Sequence, residues 1–124
     1  MQFLFIVKAS KRSEAGTFPP REVHEAMRRY NDEMEKAGIL MAAEGLQPSS
    51  KGARIRFRGK ERVVTDGPFA ETKDLVAGFW MVEVKSREEA IEWAKCAPME
   101  DGAELEVRQV YLAKEVEEVL KNAV

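Results

Sequence analysis

Charged side chains gather around one turn near the middle of the chain. Asp66, Gly67 and Pro68 have the residue types of a tight turn, because Asp can bond nearby backbone groups while Gly tolerates a positive φ and Pro fixes its own. Glu71 and Lys73 follow closely, and a turn alone does not require these charges. A partly desolvated carboxylate at such a turn can act as a general base. Asp66 is therefore the first catalytic candidate, and an Asx turn that only bonds backbone N–H groups is the competing interpretation.

Four further residues are candidates for holding a polar substrate. Glu44 lies within a run of small and apolar residues, so it is expected to face either solvent or a cleft that supplies a cationic partner, for which Arg54, Arg56 and Lys73 are the candidates. Glu71 and Lys73 would project to one side of an extended segment and could together bind a polar ligand. The alternatives are a structural ion pair for Glu44 and a solvated surface pair for Glu71 and Lys73.

Length and composition exclude several classes of protein. The chain has 124 residues, 44% of them hydrophobic and 34% charged, with a net charge of -2, which predicts one soluble globular domain spanning residues 1–124. The two signs of charge are mixed along the sequence, so no nucleic-acid partner is expected. No apolar run approaches the roughly 20 residues of a membrane span. With one Cys and no signal-peptide pattern, the predicted location is the cytoplasm.

Apolar periodicity predicts a mixed chain of strands and helices. One helix is expected to begin after Pro19-Pro20 and to carry an apolar stripe from Val23 to Ala37. A second helix is expected to begin at Ser86. Residues 10–18 are expected to form a loop. Strands are predicted at residues 2–8, 39–46, 75–84 and 105–111, and a half-exposed hairpin at 54–58 and 61–65, with the terminal helix at 114–122.

The order of these elements predicts an α+β fold. With the hairpin set aside as an insertion, it is βαββαβ, the ferredoxin-like pattern with a mainly antiparallel sheet and two helices on one face. The other face would be apolar and uncovered, which predicts a homodimer through that open sheet face. The alternative is a monomer in which the terminal helix covers the sheet.

Three segments resemble a known family. The run Asp66–Lys73, which reads DGPFAETK, together with Ala43–Pro48 and Glu106–Arg108, is similar to the DGPF or YCII-related family over about residues 1 to 112. The resemblance implies sheets that pair into a dimeric α+β barrel. It is compatible with an enzyme that acts on a small polar substrate by acid–base chemistry in a cleft centred on Asp66. It is also compatible with a non-catalytic module that binds a ligand or a protein and is linked to transcription regulation.

The single histidine and the single cysteine predict no cofactor site. Members of the wider group carry a His and an Asp proposed as an acid–base pair, but His24 is expected on a helix and not in a strand, which favours a surface role. Cys96 is expected at a helix C-terminus, which does not lower a thiol pKa, and is predicted to be a packing residue. One His and one Cys cannot complete an ordinary zinc site, so no metal or cofactor is predicted.

Overall fold

A computed structural model describes residues 1–71 and 74–123. The elements, in chain order, are β1 (Gln2–Lys8), α1 (Lys11–Glu14), α2 (Arg21–Lys36), β2 (Leu40–Gly45), a 3₁₀ turn (Ser49–Lys51), β3 (Ala53–Arg58), β4 (Glu61–Asp66), β5 (Val76–Glu83), α3 (Arg87–Lys95), β6 (Leu105–Gln109) and α4 (Ala113–Asn122). Every predicted strand and helix is present, with bounds that differ by one or two residues at most ends.

The strands form two separate sheets. One has four strands in the order β2-β5-β1-β6, and each neighbouring pair is antiparallel. This order, with α2 and α3 as the connecting helices, is the ferredoxin-like arrangement and confirms the predicted fold class. The second sheet contains only β3 and β4, here called the ribbon, and confirms the predicted inserted hairpin.

The hydrophobic core lies on one face of the four-stranded sheet. Phe3, Phe5, Trp80 and Val82 alternate along β1 and β5 and pack with Tyr30 and Met34 of α2 and Ala90 of α3. The polar atoms within this layer are bonded: the Tyr30 hydroxyl donates to the carbonyl of Trp93 at 2.7 Å, and the Trp80 indole donates to Asn31 at 2.7 Å. Burial raises the pKa of the Tyr30 phenol well above its usual range.

The opposite face of the sheet carries the residues that alternate with the core. Leu4 pairs with Met81 and Ile6 with Phe79 in the strand register, and all four are only partly buried. The exposed fractions of Val116, Val119 and Leu120 in α4 are 40%, 65% and 67%, so α4 does not cover this open face with its apolar side chains. Within the described ranges, no helix combines the length and hydropathy needed to cross a bilayer.

Three local predictions were wrong. Residues 10–18 are not all loop, because reciprocal hydrogen bonds between Ser10 and Ser13 cap the single turn of α1. Ala37 follows the last turn of α2 and is exposed, so it does not continue the buried stripe. Cys96 is exposed at the residue that follows the last turn of α3, so it is not a packing residue of the core.

Candidate functional site

The turn that follows β4 packs directly against the 3₁₀ turn. A Cβ atom on Gly67 would overlap the carbonyl oxygen of Ser49 and lie 2.6 Å from its carbonyl carbon. The Gly67 N–H donates to the carbonyl of Gly52 at 3.0 Å. Gly67 does not adopt a positive φ, so this glycine is required by the close approach of two backbones and not by the conformational freedom expected from the sequence.

A hydrogen-bonded chain connects the same turn to α1. The Phe69 N–H donates to the Ser49 hydroxyl oxygen at 3.1 Å, and the Ser49 N–H donates to Glu14 Oε2 at 2.9 Å. The Ser49 hydroxyl donates to Glu14 Oε1, and this bond is the main reason why the pKa of Glu14 lies below its ordinary value. Sequence reasoning missed Glu14 and Ser49, because a contact across 35 positions has no local signal.

Asp66 lies at the last position of β4 and is exposed. Its register partner is Ala53, whereas Arg54 pairs with Thr65 on the other face of the ribbon. The structure therefore places the catalytic candidate and one of its predicted binding partners on opposite faces. Asp66 lines neither of the two clefts described below.

The other candidates are also dispersed. Glu44 is exposed on β2 opposite Phe79, which places it on the open face of the sheet, and it forms no ion pair within the described residues. The predicted contact between Glu44 and Arg54 is therefore not formed in this chain. Glu71 is exposed, and its carbonyl accepts a hydrogen bond from Asp74 at 3.0 Å. Lys73 lies outside the described residues.

A cleft of about 580 Å³, here called the α1 cleft, opens at one end of the four-stranded sheet. Its walls come from the end of β1, from α1, from the N-terminal half of α2 and from the loop between α3 and β6. The interior is apolar and is lined by Val7, Val23, Met27, Ala77, Pro98 and Met99. Sequence reasoning did not find this cleft, because its walls come from segments far apart in the chain.

Polar groups surround the mouth of the α1 cleft. Arg12 donates to both carboxylate oxygens of Glu100 at 3.2 Å and so links α1 to the facing loop. These side chains are 53% and 48% exposed, so the pair contributes under about 1 kcal/mol and can open for a ligand. The other polar residues of the lining are Lys8, Ser10, Lys11, Ser13, Thr17, Asp101 and Glu104.

One charged network joins the α1 cleft to the open face of the sheet. Glu106 accepts from Arg108 at 3.0 Å and lies 3.2 Å from the ammonium of Lys8, which also lines the cleft. The hydrogen bond from Arg108 and then that from Lys8 hold the pKa of Glu106 below its ordinary value. The segment from Glu106 to Arg108 thus carries an ion network at the border of the open face.

A second hollow, here called the ribbon pocket, lies on the arginine face of the ribbon. It has a volume of about 420 Å³ and is lined by Arg54, Ile55, Arg56, Thr65 and Phe69. The guanidinium of Arg54 is 3.9 Å from the ring centroid of Phe69, a distance typical of a cation–π contact. Of the predicted substrate-binding residues that the structure describes, only Arg54 lines either hollow.

Comparison with known proteins assigns the chain to a family. Residues 1–114 match the YCII-related domain. The chain belongs to the YCII-related family. An uncharacterised protein of Rhizobium meliloti (strain 1021) is 35% identical over 75 residues, which make up 60% of this YCII-related chain and 57% of that relative. The aligned region therefore spans less than two thirds of the relative's length.

A solved structure shares the fold of this YCII-related chain. It is 5-chloro-2-hydroxyhydroquinone dehydrochlorinase from Burkholderia phenoliruptrix AC1100 in complex with 2,5-dihydroxybenzoquinone. The TM-score is 0.54 at 17% sequence identity, and the match covers 92% of this chain and 97% of that one. At this identity the similarity supports the α+β fold alone, because one fold can host many reactions.

The described residues contain no candidate metal centre. No three His, Cys, Asp or Glu side chains among residues 1–71 and 74–123 come close enough to hold a metal ion. His24 is exposed on α2 and lines neither hollow. The side chains that line the α1 cleft and the ribbon pocket can supply acid–base, electrostatic and hydrogen-bonding chemistry.

Proposed function

We propose that this YCII-related chain is an enzyme that acts on a small polar substrate held in the α1 cleft. The observation that supports this most directly is the cleft itself, whose volume of about 580 Å³ is typical of small-molecule sites. An apolar interior with polar groups at its mouth suits a compact molecule that has an apolar body and ionisable substituents.

The proposed reaction class is proton transfer. Asp101 and Glu104 line the cleft and form no ion pair within the described part of the chain, so their carboxylates are available as proton acceptors. Arg12 can exchange Glu100 for an anionic substituent of the substrate, because the pair is half exposed. The structural neighbour, a dehydrochlorinase solved with a dihydroxybenzoquinone, supports a hydroxylated ring as the first substrate class to test.

The acid–base role of Asp66 is a separate part of this proposal. The carboxylate is exposed and lies outside the α1 cleft, so it can act on a substrate only where a second copy of the chain encloses it. For Glu44, Glu71 and Lys73 to bind the same substrate, the second copy would have to bring them together with Asp66, because Glu44 lies on the open face of the sheet. Substitution of Asp66 by Asn keeps the shape of the side chain. If turnover is lost while melting is unchanged, Asp66 is the acid–base group, and if turnover is retained, the α1 cleft alone carries the reaction.

A homodimer is the assembly that the open face supports. Leu4, Ile6, Phe79 and Met81 form a partly exposed apolar patch, and exposed patches of this kind mark protein contacts. We expect sedimentation equilibrium at low micromolar concentration to give a dimer, and Phe79→Glu to give a folded monomer. Val119→Glu on the exposed α4 is the matched control and should leave the dimer intact. A wild-type monomer would contradict the assembly.

The α1 cleft can be tested by NMR titration with 2,5-dihydroxybenzoquinone and simple hydroxybenzoates as probes. Saturable shifts of the Val23 and Met27 methyl groups are expected, since both line the cleft interior. Arg12→Ala should weaken binding, and Lys114→Ala on α4 should not. Probes that shift only residues elsewhere, or that shift none at any concentration, would contradict the proposed site.

The alternative function is a non-catalytic binding module linked to transcription regulation. It is favoured by the contacts of the Asp66–Phe69 turn, where Gly67 and Phe69 both contact Ser49 and so give the DGPF run a scaffold role. Asp66→Ala distinguishes the two functions. A large fall in melting temperature with unchanged probe binding supports the scaffold role of this turn, whereas unchanged melting with lost binding supports a site.

A further inference from the structure

Arginine side chains follow one face of the ribbon. Arg54 and Arg56 are separated by one residue on β3, so both project to the face that also carries Thr65 and Val63 of β4. At about 3.3 Å per residue their Cα atoms lie about 7 Å apart, within the span of one small ligand. Within residues 1–71 and 74–123, neither guanidinium lies within ion-pair distance of a carboxylate.

Phe69 stacks against the guanidinium of one of these arginines. The guanidinium of Arg54 stacks 3.9 Å from the ring centroid, which leaves its N–H edges free to bond a ligand. The backbone N–H of Phe69 is itself bonded to Ser49 at 3.1 Å, so the ring is anchored to the body of the protein and not only to the ribbon. A preorganised guanidinium loses less conformational entropy when it binds.

The hollow around these groups is suited to an anion. The ribbon pocket has a volume of about 420 Å³, and among the residues that the structure describes its polar lining is Arg54, Arg56 and Thr65, with no carboxylate. Guanidinium groups bind phosphate and carboxylate oxygens with paired N–H···O bonds. We propose that the ribbon pocket is an oxyanion site that binds the phosphate group of a small phosphorylated molecule through Arg54, Arg56 and Thr65.

The ribbon supplies its own matched control. Arg62 stacks on Phe57, with its guanidinium 4.4 Å from that ring centroid, but on the other face of the ribbon and outside the pocket. Arg62 and Arg54 therefore lie on the same hairpin, and each stacks on its own phenylalanine ring. Of the two, only Arg54 lines a hollow. A response at Arg54 that Arg62 lacks reports a site and not the general attraction of exposed cations for anions.

The test is an NMR titration of the full chain with inorganic phosphate and with phenyl phosphate, at constant ionic strength adjusted with chloride. Saturable shifts of the Nε–Hε signals of Arg54 and Arg56 are expected. Arg54→Lys should weaken binding about tenfold, as the loss of a paired charge-assisted bond predicts. Phe69→Leu should weaken binding in the same direction, with its melting temperature recorded to verify folding. Arg62→Lys should leave the affinity unchanged.

Two results would overturn the oxyanion site. Shifts that rise linearly without saturation, or that chloride alone reproduces, would show that the arginines only screen charge. An equal loss of affinity in Arg54→Lys and Arg62→Lys would show that no particular pocket is involved. Saturable shifts at Arg12 without any at Arg54 would also reject the inference while supporting ligand binding in the α1 cleft, so the two proposals fail separately.

Discussion

The four-stranded sheet and the ribbon differ in what covers them. Both are antiparallel and both alternate apolar with polar side chains along at least one strand. In β1, Phe3 and Phe5 are 2% and 0% exposed, whereas every residue of β3 and β4 is exposed. The helices α2 and α3 cover one face of the sheet, and no element in the described part of the chain covers the ribbon. Alternation therefore predicts a strand, but burial depends on a partner element.

The ribbon is instead held at one end. An isolated two-stranded hairpin is marginally stable in water, so its anchor determines where it lies. That anchor is the Asp66–Phe69 turn, through the close packing of Gly67 on Ser49 and the bond from Phe69 to the same serine. The sheet is stabilised by buried area and the ribbon by a few directed contacts, and the two should respond differently to substitution.

The largest expected difference comes from truncating one phenylalanine in each region. Phe5→Ala should lower the free energy of unfolding by about 3–5 kcal/mol, because it removes a fully buried ring and leaves a cavity. Phe57→Ala should lower it by less than about 1 kcal/mol, since this ring is 71% exposed and loses only its stack with Arg62. Urea unfolding measures both. Similar losses for the two variants would show that the ribbon is buried in solution.

The next largest effect compares a glycine at the anchor of the ribbon with a glycine in the four-stranded sheet. Gly67→Ala forces a Cβ into the carbonyl of Ser49 and should cost about 1–3 kcal/mol, as overpacking does. Gly45→Ala is the control, because a Cβ there meets no atom within 4 Å. Hydrogen exchange should show faster opening of β3 and β4 in Gly67→Ala and no change in the sheet. Unaltered protection of the ribbon would contradict its role as an anchor.

The fold could be predicted because the apolar periodicity of each segment and the known ways of packing helices on a sheet lead to the same arrangement. The stripe of Val23, Met27, Tyr30 and Met34 marks α2, and the order of strands and helices leads to the observed sheet. The short helix α1 was missed because four residues give no periodicity, and it depends on two reciprocal serine bonds. Local signals were therefore sufficient wherever an element buries a long apolar stripe.

The candidate site was less predictable, because it depends on contacts between distant segments and not on local patterns. Asp66, Glu44 and Arg54 are charged residues that the sequence predicts to act at one site. They are dispersed in the structure, because successive side chains of a strand project to opposite faces and Glu44 lies in the other sheet. The α1 cleft and the bond between Glu14 and Ser49 join segments far apart in the chain. A residue's chemical type is readable from sequence, whereas its neighbours across the fold are not.

The smallest expected effect is a dependence of stability on pH at Glu14. Ser49 donates two hydrogen bonds to the ionised carboxylate, which lowers the pKa of Glu14 in the folded chain below its ordinary value of 4.5. A lowered folded pKa means that the contribution is complete above pH 4.5 and is lost as the pH falls through the folded value. The difference in urea midpoint between wild type and Glu14→Gln should therefore be constant near neutral pH and shrink in acid.

Two controls separate this bond from general acid unfolding. Other carboxylates, including Glu106 with its own lowered pKa, titrate equally in wild type and variant, so they cancel in the difference. Glu117→Gln on the exposed face of α4 should give a difference near zero at every pH. If the difference for Glu14→Gln is the same at pH 7 and pH 3, the carboxylate charge does not contribute to holding Ser49. The anchor of the ribbon would then rest on the packing of Gly67 and on the bond from Phe69 to Ser49, without a contribution from the charge of Glu14.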